Sequence, residues 1–250
     1  MDVIQVCALV AAGLGAGMVN ALAGGGSLIS YPSLLAVGVP PISANVTNSV
    51  SVAPGYVSSV VGSRKQLKGQ KKRVLSLIPT AIIGAGIGTA LLLNTSQETF
   101  AAIVPFLIIL AAVLMAVGPM INQLLASRAD ELGEHQVLLH LLIGLACVYG
   151  GYFLSAIGLV VIAFLGICLN DSLARMTALK NTITLVIGVV AAAVYSFLAP
   201  VEWTAVMALV PGTLVGGWLG ARLAPRLPQK ALRWTIIVYG LSVGVYLMVT

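Results

Sequence analysis

The sequence predicts an all-α polytopic membrane protein made of two inverted-topology repeats, with about eight full spans and two short broken or re-entrant helices. Three observations lead to this fold class. Of the 250 residues, 59% are hydrophobic and 8% are charged, whereas about 25% of the residues of a soluble domain are charged. The apolar residues form runs of membrane-spanning length, and the basic residues gather in two connectors. This composition excludes a soluble enzyme, a nucleic-acid-binding protein and a disordered chain.

Eight apolar runs are candidates for full spans, because a helix needs roughly 20 apolar residues to cross the hydrocarbon core. They cover residues 3–23, 44–61, 74–93, 100–121, 137–153, 174–198, 203–224 and 232–249. Two further runs, 27–37 and 159–169, are too short to cross, and each of them follows glycine. A bilayer tolerates such segments when they are buried in protein or line a cavity. Each is therefore predicted to be one arm of a broken or re-entrant helix.

The thirteen basic residues indicate which connectors face the cytoplasm. Six of them lie in the connector 64–73 and four lie in 222–233. Positively charged loops stay on the cytoplasmic side, so both connectors are placed inside. A patch for anionic lipid or nucleic acid is the less favoured interpretation, because basic loops beside spans are ordinary in membrane proteins. The net charge of +6 is thus mainly a topology signal.

The two halves of the chain resemble each other. The pattern Pro-x4-Gly-x3-Gly-x8-Gln begins at Pro79 and again at Pro211, an offset of 132 residues. Three more residues recur at an offset of 133: Gly25, Asn48 and Gly55 correspond to Gly158, Asn181 and Gly188. We therefore predict a first transmembrane repeat at 1–121, a polar linker at 122–136 and a second transmembrane repeat at 137–250.

Equivalent connectors of the two repeats differ in charge. The basic connectors 64–73 and 222–233 correspond to about 197–205 and 90–101, which each carry one glutamate and no lysine or arginine. The positive-inside rule then places equivalent connectors on opposite sides, as in transporters built from inverted repeats. Inversion requires an odd number of segments per repeat, so we predict five plus five, with both termini outside. The alternative, eight spans in parallel halves, leaves one basic connector outside.

A glycine run interrupts the first apolar segment. Gly24, Gly25 and Gly26 would free backbone N–H groups there, and a helix that begins at Ser27 would point its positive dipole end at an anion. Tight packing or a simple turn is the alternative. Broken segments at matching positions of two repeats are a pointer to a transporter site. Asn20, just before the break, would add a donor amide or make a helix–helix hydrogen bond.

Lys180 is the strongest single candidate for binding an anion, since it is the only lysine outside the two basic connectors. A lysine within a membrane is costly and needs an anionic partner. Asp171 and Glu202 are candidate partners near the ends of spans. If neither reaches Lys180, a bound anionic substrate is the natural counter-charge. The alternative is that its long side chain snorkels to the interface.

Polar residues at equivalent positions of the two repeats, together with Arg175, complete the predicted binding site. Thr47 and Asn48 correspond to Lys180 and Asn181, which would place the two asparagines around one pseudo-two-fold axis. Arg175 either assists at the mouth of the site or anchors the span at the interface. No catalytic constellation, metal-ligand spacing or cofactor motif is present, so we predict no enzyme activity, metal or cofactor.

Several stretches together resemble one transporter family. In the first half they are AGGGSL at 23–28, YPSLL at 31–35, GVPP at 38–41 and Thr47-Asn48. In the second half they are ALKN at 178–181, GGWLGAR at 216–222 and LP at 227–228. Nearly the whole chain is similar in this way to the sulfite exporter TauE/SafE family. The chain departs from the family pattern at Asn45-Val46 and at Thr177, which bears on substrate choice.

The resemblance implies a multi-pass permease of the prokaryotic plasma membrane for sulfite, organosulfonates or related sulfur-containing anions. The leading hypothesis is export by alternating access. The alternatives are an anion channel and a transporter of another small carboxylate or inorganic anion. The expected partners are the small anion and the lipid bilayer, with no nucleic acid, and a homodimer is left open.

Overall fold

A computed structural model describes residues 1–22, 24–126, 136–169, 171–223 and 229–249 of the protein. This part of the chain folds into ten α-helices and contains no strand. The helices are α1 (Val3–Leu22), α2 (Ser27–Ala36), α3 (Pro41–Gly62), α4 (Lys71–Leu93), α5 (Gln97–Ala126), α6 (Gln136–Tyr152), α7 (Ile157–Cys168), α8 (Leu173–Leu198), α9 (Trp203–Leu223) and α10 (Gln229–Val249). The prediction of an all-helical chain is thus confirmed for these residues.

Five of the described helices, α1, α4, α5, α8 and α9, are long and apolar enough to cross a membrane. The α3 helix has 22 residues, but serine, threonine and asparagine recur along it. The α6 helix has 17 residues, and the described apolar part of α10 is Trp234–Val249. The architecture is that of a multi-span membrane protein, and the count of eight full spans stays a prediction.

The two short helices that the sequence predicts are both present. The α2 helix has 10 residues and α7 has 12. At 1.5 Å per residue they are about 15 and 18 Å long, against a hydrocarbon core of about 30 Å. Gly38 ends the first of them in the left-handed region with φ of 88°, and Pro41 then begins α3, because proline fits the first turn of a helix.

Glycine faces bring two pairs of helices into close contact. The α1 helix packs on α9, and α4 packs on α6. A Cβ at Gly216 would lie 2.1 Å from the carbonyl oxygen of Leu14, and one at Gly88 would lie 2.1 Å from that of Val148. Only glycine allows backbones to approach so closely. These glycines therefore serve the close packing of the two helix pairs.

The α3 and α8 helices pack against each other and run in opposite directions. Asn181, near the start of α8, donates hydrogen bonds to the Ser59 carbonyl and the Ser63 hydroxyl at the end of α3. At the other end, the Thr47 hydroxyl accepts a hydrogen bond from the N–H of Glu202, which follows α8. The α3 helix also packs on α9, and α8 packs on α4. These contacts place α3 and α8 between the two glycine-packed pairs.

Polar residues are turned inward and apolar residues outward. Ile83, Leu141 and Phe197 are 64%, 66% and 87% exposed, whereas Asn48 and Lys180 are buried. Because a soluble protein hides its large apolar side chains, this distribution is that of a chain whose outer surface contacts lipid. The buried polar residues therefore mark the interior as the place to look for a site.

Candidate functional site

The two glycine breaks meet backbone to backbone. Gly24 has a φ of 77°, in the left-handed region, and joins α1 to α2. A Cβ built on Gly24 would lie 3.2 Å from the Cα of Gly158, and one built on Gly158 would lie 3.1 Å from the Cα of Gly24. The structure thus brings together the tips of the α1–α2 and α6–α7 segments, which the repeat relates.

An internal hydrogen bond holds the first break. The N–H of Gly26 donates to Asn20 Oδ1 at 2.8 Å. A Cβ at Gly26 would lie 2.0 Å from the carbonyl oxygen of Ala16, so α2 folds back directly on α1. The side-chain oxygen of Asn20 is therefore engaged in shaping the break. Because the Gly24 N–H donates to the Val19 carbonyl oxygen at 3.1 Å, two of the three N–H groups of the glycine run are already satisfied.

The second break depends on a residue that sequence reasoning does not single out. Ala156, just before α7, has a φ of 56°, and the N–H of Leu159 donates to its carbonyl oxygen at 2.9 Å. A left-handed alanine is uncommon and costs energy. The Tyr149 hydroxyl donates to the neighbouring carbonyl of Ser155 at 2.8 Å. The short apolar run after Gly158 predicts this break, but nothing in the sequence indicates the left-handed backbone of Ala156.

Lys180 lies where the two breaks meet. It is 8% exposed. Its Nζ lies 3.6 Å from the position of a Cβ on Gly24, and its Cδ lies 3.5 Å from that of a Cβ on Gly158. Within the described residues, the Lys180 ammonium group has no carboxylate at ion-pair distance and no hydrogen-bond acceptor. A buried cation without a protein partner is unusual, because the desolvation of its charge is not compensated.

Both candidate carboxylates are engaged elsewhere or exposed. Asp171 Oδ2 lies 2.8 Å from Arg73 Nη1, and Asp171 Oδ1 lies 2.9 Å from Arg175 Nε. Burial raises the pKa of Asp171, but hydrogen bonds from Arg175, the Ser172 N–H and Arg73 outweigh it and lower that pKa overall. Glu202 is exposed.

Arg175 belongs to this ion-pair cluster and not to the surroundings of Lys180. Besides Asp171, its guanidinium contacts the carbonyl oxygen of Lys68 at 3.0 Å. Gln70 in turn donates to the Arg175 carbonyl at 3.1 Å. The cluster ties the start of α8 to the basic connector 64–73.

The two repeat-related asparagines have different environments. Asn48 Oδ1 accepts a hydrogen bond from the Ser30 hydroxyl, and within the described residues its Nδ2 donates none. Asn181 uses its Nδ2 for Ser59 and Ser63, at 3.3 and 3.1 Å. Asn48 therefore keeps donor capacity for a ligand, whereas the amide of Asn181 is committed to the α3–α8 contact.

Three further polar atoms are fully enclosed and have no partner within the described residues: Ser27 Oγ, Tyr31 Oη and Asn45 Oδ1. Ser27 and Tyr31 are four residues apart on α2, so they share a helix face. Leaving such an atom unsatisfied costs about 1–3 kcal/mol, and a ligand can supply the missing bond. Tyr31 is absent from the sequence-based candidates because a tyrosine among apolar residues is typical of packing.

The arrangement suits anion binding and not covalent chemistry. The described residues supply one buried cation at the two breaks, and an amide donor and unpaired hydroxyl groups on the adjoining α3 and α2 helices. The described residues contain no group of three His, Cys, Asp or Glu side chains that could hold a metal ion.

Comparison with known proteins agrees with the resemblance of the sequence motifs. The model of the family described as sulfite exporter TauE/SafE matches residues 9–247. The probable membrane transporter protein YfcA of Escherichia coli (strain K12) is 25% identical over 227 residues, which cover 89% of this chain and 82% of that protein. A probable membrane transporter protein of Haemophilus influenzae is 23% identical, with 90% and 88% covered. No solved structure matches the chain.

Proposed function

The chain belongs to the sulfite exporter TauE/SafE family, and from this premise we propose that it is a secondary transporter of small sulfur-containing anions such as sulfite or organosulfonates. The family and its named relatives make it a multi-pass transporter of the cell membrane and not an enzyme. The choice of substrate, the direction of transport and the binding residues are our proposal.

One observation carries the assignment of the site. Lys180 is a buried cation that lacks a protein counter-charge within the described residues, at the contact between Gly24 and Gly158. A monovalent anion bound there would compensate the charge of the ammonium group and recover its desolvation cost. Transporters of inverted-repeat architecture bind substrate at this kind of break between helices.

The predicted residues and Ser27 have separate roles in this proposal. Lys180 holds the negative charge of the anion, and Asn48 Nδ2 and the Ser27 hydroxyl supply further hydrogen bonds. Gly24 and Gly25 offer close backbone approach, while Asn20 and Gly26 fix the shape of the break. The remaining predicted residues act by position: Thr47 and Asn181 hold α3 against α8, and Arg175 lies at the cytoplasmic mouth.

We further propose that the two halves are inverted repeats. The α3 and α8 helices are equivalent in the repeat, and their terminal contacts show that they run in opposite directions. The pairs α1–α9 and α4–α6 exchange under the same relation. Gly216 meets Leu14, and the equivalent Gly84 meets Cys147, which corresponds to Leu14. The reciprocal contacts support a two-fold relation between the halves, and the opposite directions of α3 and α8 favour an inverted relation over a parallel one.

Export by alternating access fits the energetics of an anion. A membrane potential of 100 mV favours the expulsion of one negative charge by about 2.3 kcal/mol. Since about 1.4 kcal/mol is a factor of ten, the potential alone supports a gradient of about forty-fold. A proton-carrying acid is not required for this direction of transport. In this mechanism the tips of the α1–α2 and α6–α7 segments, which meet at Gly24 and Gly158, open the site to one side of the membrane at a time.

The test is counterflow of radiolabelled sulfite into liposomes that contain the purified protein. Organosulfonates, carboxylates and inorganic anions compete in turn, which ranks the substrates. We expect saturable flux that Lys180→Gln abolishes and that the matched exposed variant Lys65→Gln leaves unchanged. Wild-type flux in Lys180→Gln would refute the site. Linear single-channel conductance in planar bilayers would show that the protein is a channel and not a carrier. Stronger competition by carboxylates than by unlabelled sulfite would show that the substrate class is carboxylates.

A further inference from the structure

The second glycine break contains a run of backbone N–H groups that have no acceptor. The run covers residues 154–158, from the end of α6 to the first turn of α7. Within the described residues, no oxygen atom accepts a hydrogen bond from any of these N–H groups. All the residues of the run are buried. A helix leaves its first N–H groups unpaired, but this run begins before α7, and more than about 90% of buried N–H groups in proteins are paired.

The first break differs, because the chain itself satisfies most of its glycine N–H groups. The Gly24 N–H donates to the Val19 carbonyl oxygen at 3.1 Å, and the Gly26 N–H donates to Asn20 Oδ1 at 2.8 Å. At the repeat offset of 133 residues, the equivalent of Asn20 is Phe153, whose side chain has no acceptor atom. The first break is therefore capped by its own side chain, and the second break is not.

The backbone of Ala156 gives the second break the form of an anion-binding turn. Ala156 has a φ of 56° and a ψ of 12°, in the left-handed region, directly before the 12-residue helix α7. Successive N–H groups in such a turn form a concave surface that binds anions. The positive end of the α7 dipole lies at the same place, because α7 begins at Ile157. Both features favour oxygen atoms that carry negative charge.

The side chain of Lys180 is a second observation, independent of the backbone, that points to an anion here. Lys180 is 8% exposed, and its ammonium group has no partner within the described residues. Its Cδ lies 3.5 Å from the position of a Cβ on Gly158, the last residue of the run. Its Nζ lies 3.6 Å from the position of a Cβ on Gly24, which contacts Gly158. A buried unpaired cation therefore lies beside the unpaired N–H groups, and one anion would satisfy both.

We propose that the backbone N–H groups of residues 155–158 bind the oxygen atoms of the anion whose charge Lys180 compensates. This inference rests on the proposed function and names the second break as the part of the site that recognises oxygen. The first break then forms the opposing wall. Because a backbone N–H is a donor only, the turn selects oxygen atoms that carry no proton, such as those of a sulfonate or of sulfite.

Nuclear magnetic resonance of the selectively labelled full chain tests this proposal. The dipeptide Ser-Ala occurs at Ser43-Ala44 and at Ser155-Ala156 and nowhere else in the sequence. Protein with carbonyl-¹³C serine and ¹⁵N alanine therefore gives two signals in a carbonyl-to-amide correlation spectrum. The Ala44 N–H donates to the Pro40 carbonyl oxygen at 2.7 Å, so it is a matched amide that is already bonded. We expect sulfite to move the Ala156 amide proton downfield in a saturable manner and to leave Ala44 in place.

A second labelling extends the test to the next N–H group of the run. Carbonyl-¹³C alanine with ¹⁵N isoleucine reports Ile157, with Ile82 and Ile103 inside α4 and α5 as controls. We expect Ile157 to respond to sulfite and the two controls to stay in place. Lys180→Gln should abolish the response of Ala156 and Ile157, and the exposed control Lys65→Gln should keep it.

Titration calorimetry of the same samples separates failure of this inference from failure of the proposed function. Sulfite binding that leaves both Ala156 and Ile157 unmoved would overturn the backbone site and leave the transporter proposal intact. The absence of sulfite binding would overturn the proposed function, and this inference with it. An equal response to chloride at matched ionic strength would overturn the recognition of oxygen atoms. A full response in Lys180→Gln would overturn the assignment of one anion to the lysine and the turn.

Discussion

Replacing Lys180 by methionine should stabilise the substrate-free protein while it removes anion binding. The side chain is buried at the contact between the two glycine breaks, and within the described residues its ammonium group has no partner. Methionine has a similar length and carries no charge, so the desolvation cost disappears without a large cavity. An ordinary structural lysine with a carboxylate partner would give the opposite sign, because its loss leaves an unpaired charge behind.

The magnitude follows from the buried cation. An unsatisfied buried polar group costs about 1–3 kcal/mol, and a charged one at least as much. For a chain of this length, each kcal/mol shifts the unfolding temperature by about 2–4 °C. Lys180→Met should therefore raise the unfolding temperature in detergent by about 2–12 °C. The exposed control Lys65→Met should shift it by less than about 2 °C, since exposed substitutions stay within about 0.5 kcal/mol.

Thermal unfolding with and without anion completes the assay. A ligand that binds only the folded state at a hundred times its dissociation constant stabilises by about 2.7 kcal/mol. Sulfite should therefore raise the unfolding temperature of the unmodified protein and of Lys65→Met, and leave Lys180→Met unchanged. A lower unfolding temperature in substrate-free Lys180→Met would refute the reasoning, because it would mean that the lysine has a stabilising partner in the folded state. Stabilisation of Lys180→Met by sulfite would refute the assignment of the site.

Three further outcomes follow from the helix contacts and the ion-pair cluster. Gly216→Ala should destabilise the protein by about 1–3 kcal/mol, since its Cβ meets backbone; Gly86→Ala, with open space around it, should be neutral or slightly stabilising in the same melts. The lowered pKa of Asp171 stabilises the fold above the unfolded value of about 3.9 and loses that effect as pH falls through the lower folded value. Asp171→Asn should therefore flatten the acid limb of a stability–pH curve, with a loss of about 0.2–1 kcal/mol per ion pair at pH 7. Asn48→Ala should weaken sulfite binding in titration calorimetry, whereas Asn181→Ala should lower stability with a smaller change in affinity; the reverse order would contradict the hydrogen-bond assignment.

Much of the fold is predictable from the sequence because the bilayer restricts the solutions. Backbone polar groups must be satisfied within a helix when no water is present. The ten segments in the predicted order therefore follow from apolar runs and their glycine interruptions. The short α2 and α7 are predictable for the same reason, since 10 and 12 residues cannot span the core.

The sequence did not predict the hydrogen-bond and ion-pair partners of the candidate site residues. Asn48 and Asn181 look equivalent in the sequence, yet the first keeps a free amide and the second bonds to Ser59 and Ser63. Arg175 lies five residues before Lys180, but it faces Asp171 at the connector. Hydrogen-bond partners far apart in sequence decide these differences, and periodicity carries no information about them.

The sequence by itself determined the membrane environment and the family, and it singled out Lys180 as the residue on which our proposed site depends. A chain with so few charges must be solvated by lipid, and a lone lysine in its spans must find an anion. Only the tertiary structure decided that no described carboxylate supplies this charge, and that Gly24 and Gly158 meet beside Lys180. The physical reason is how far apart in the sequence the interacting residues lie. Hydropathy and desolvation are properties of each segment, whereas compensation of a buried charge depends on which distant segments fold against it.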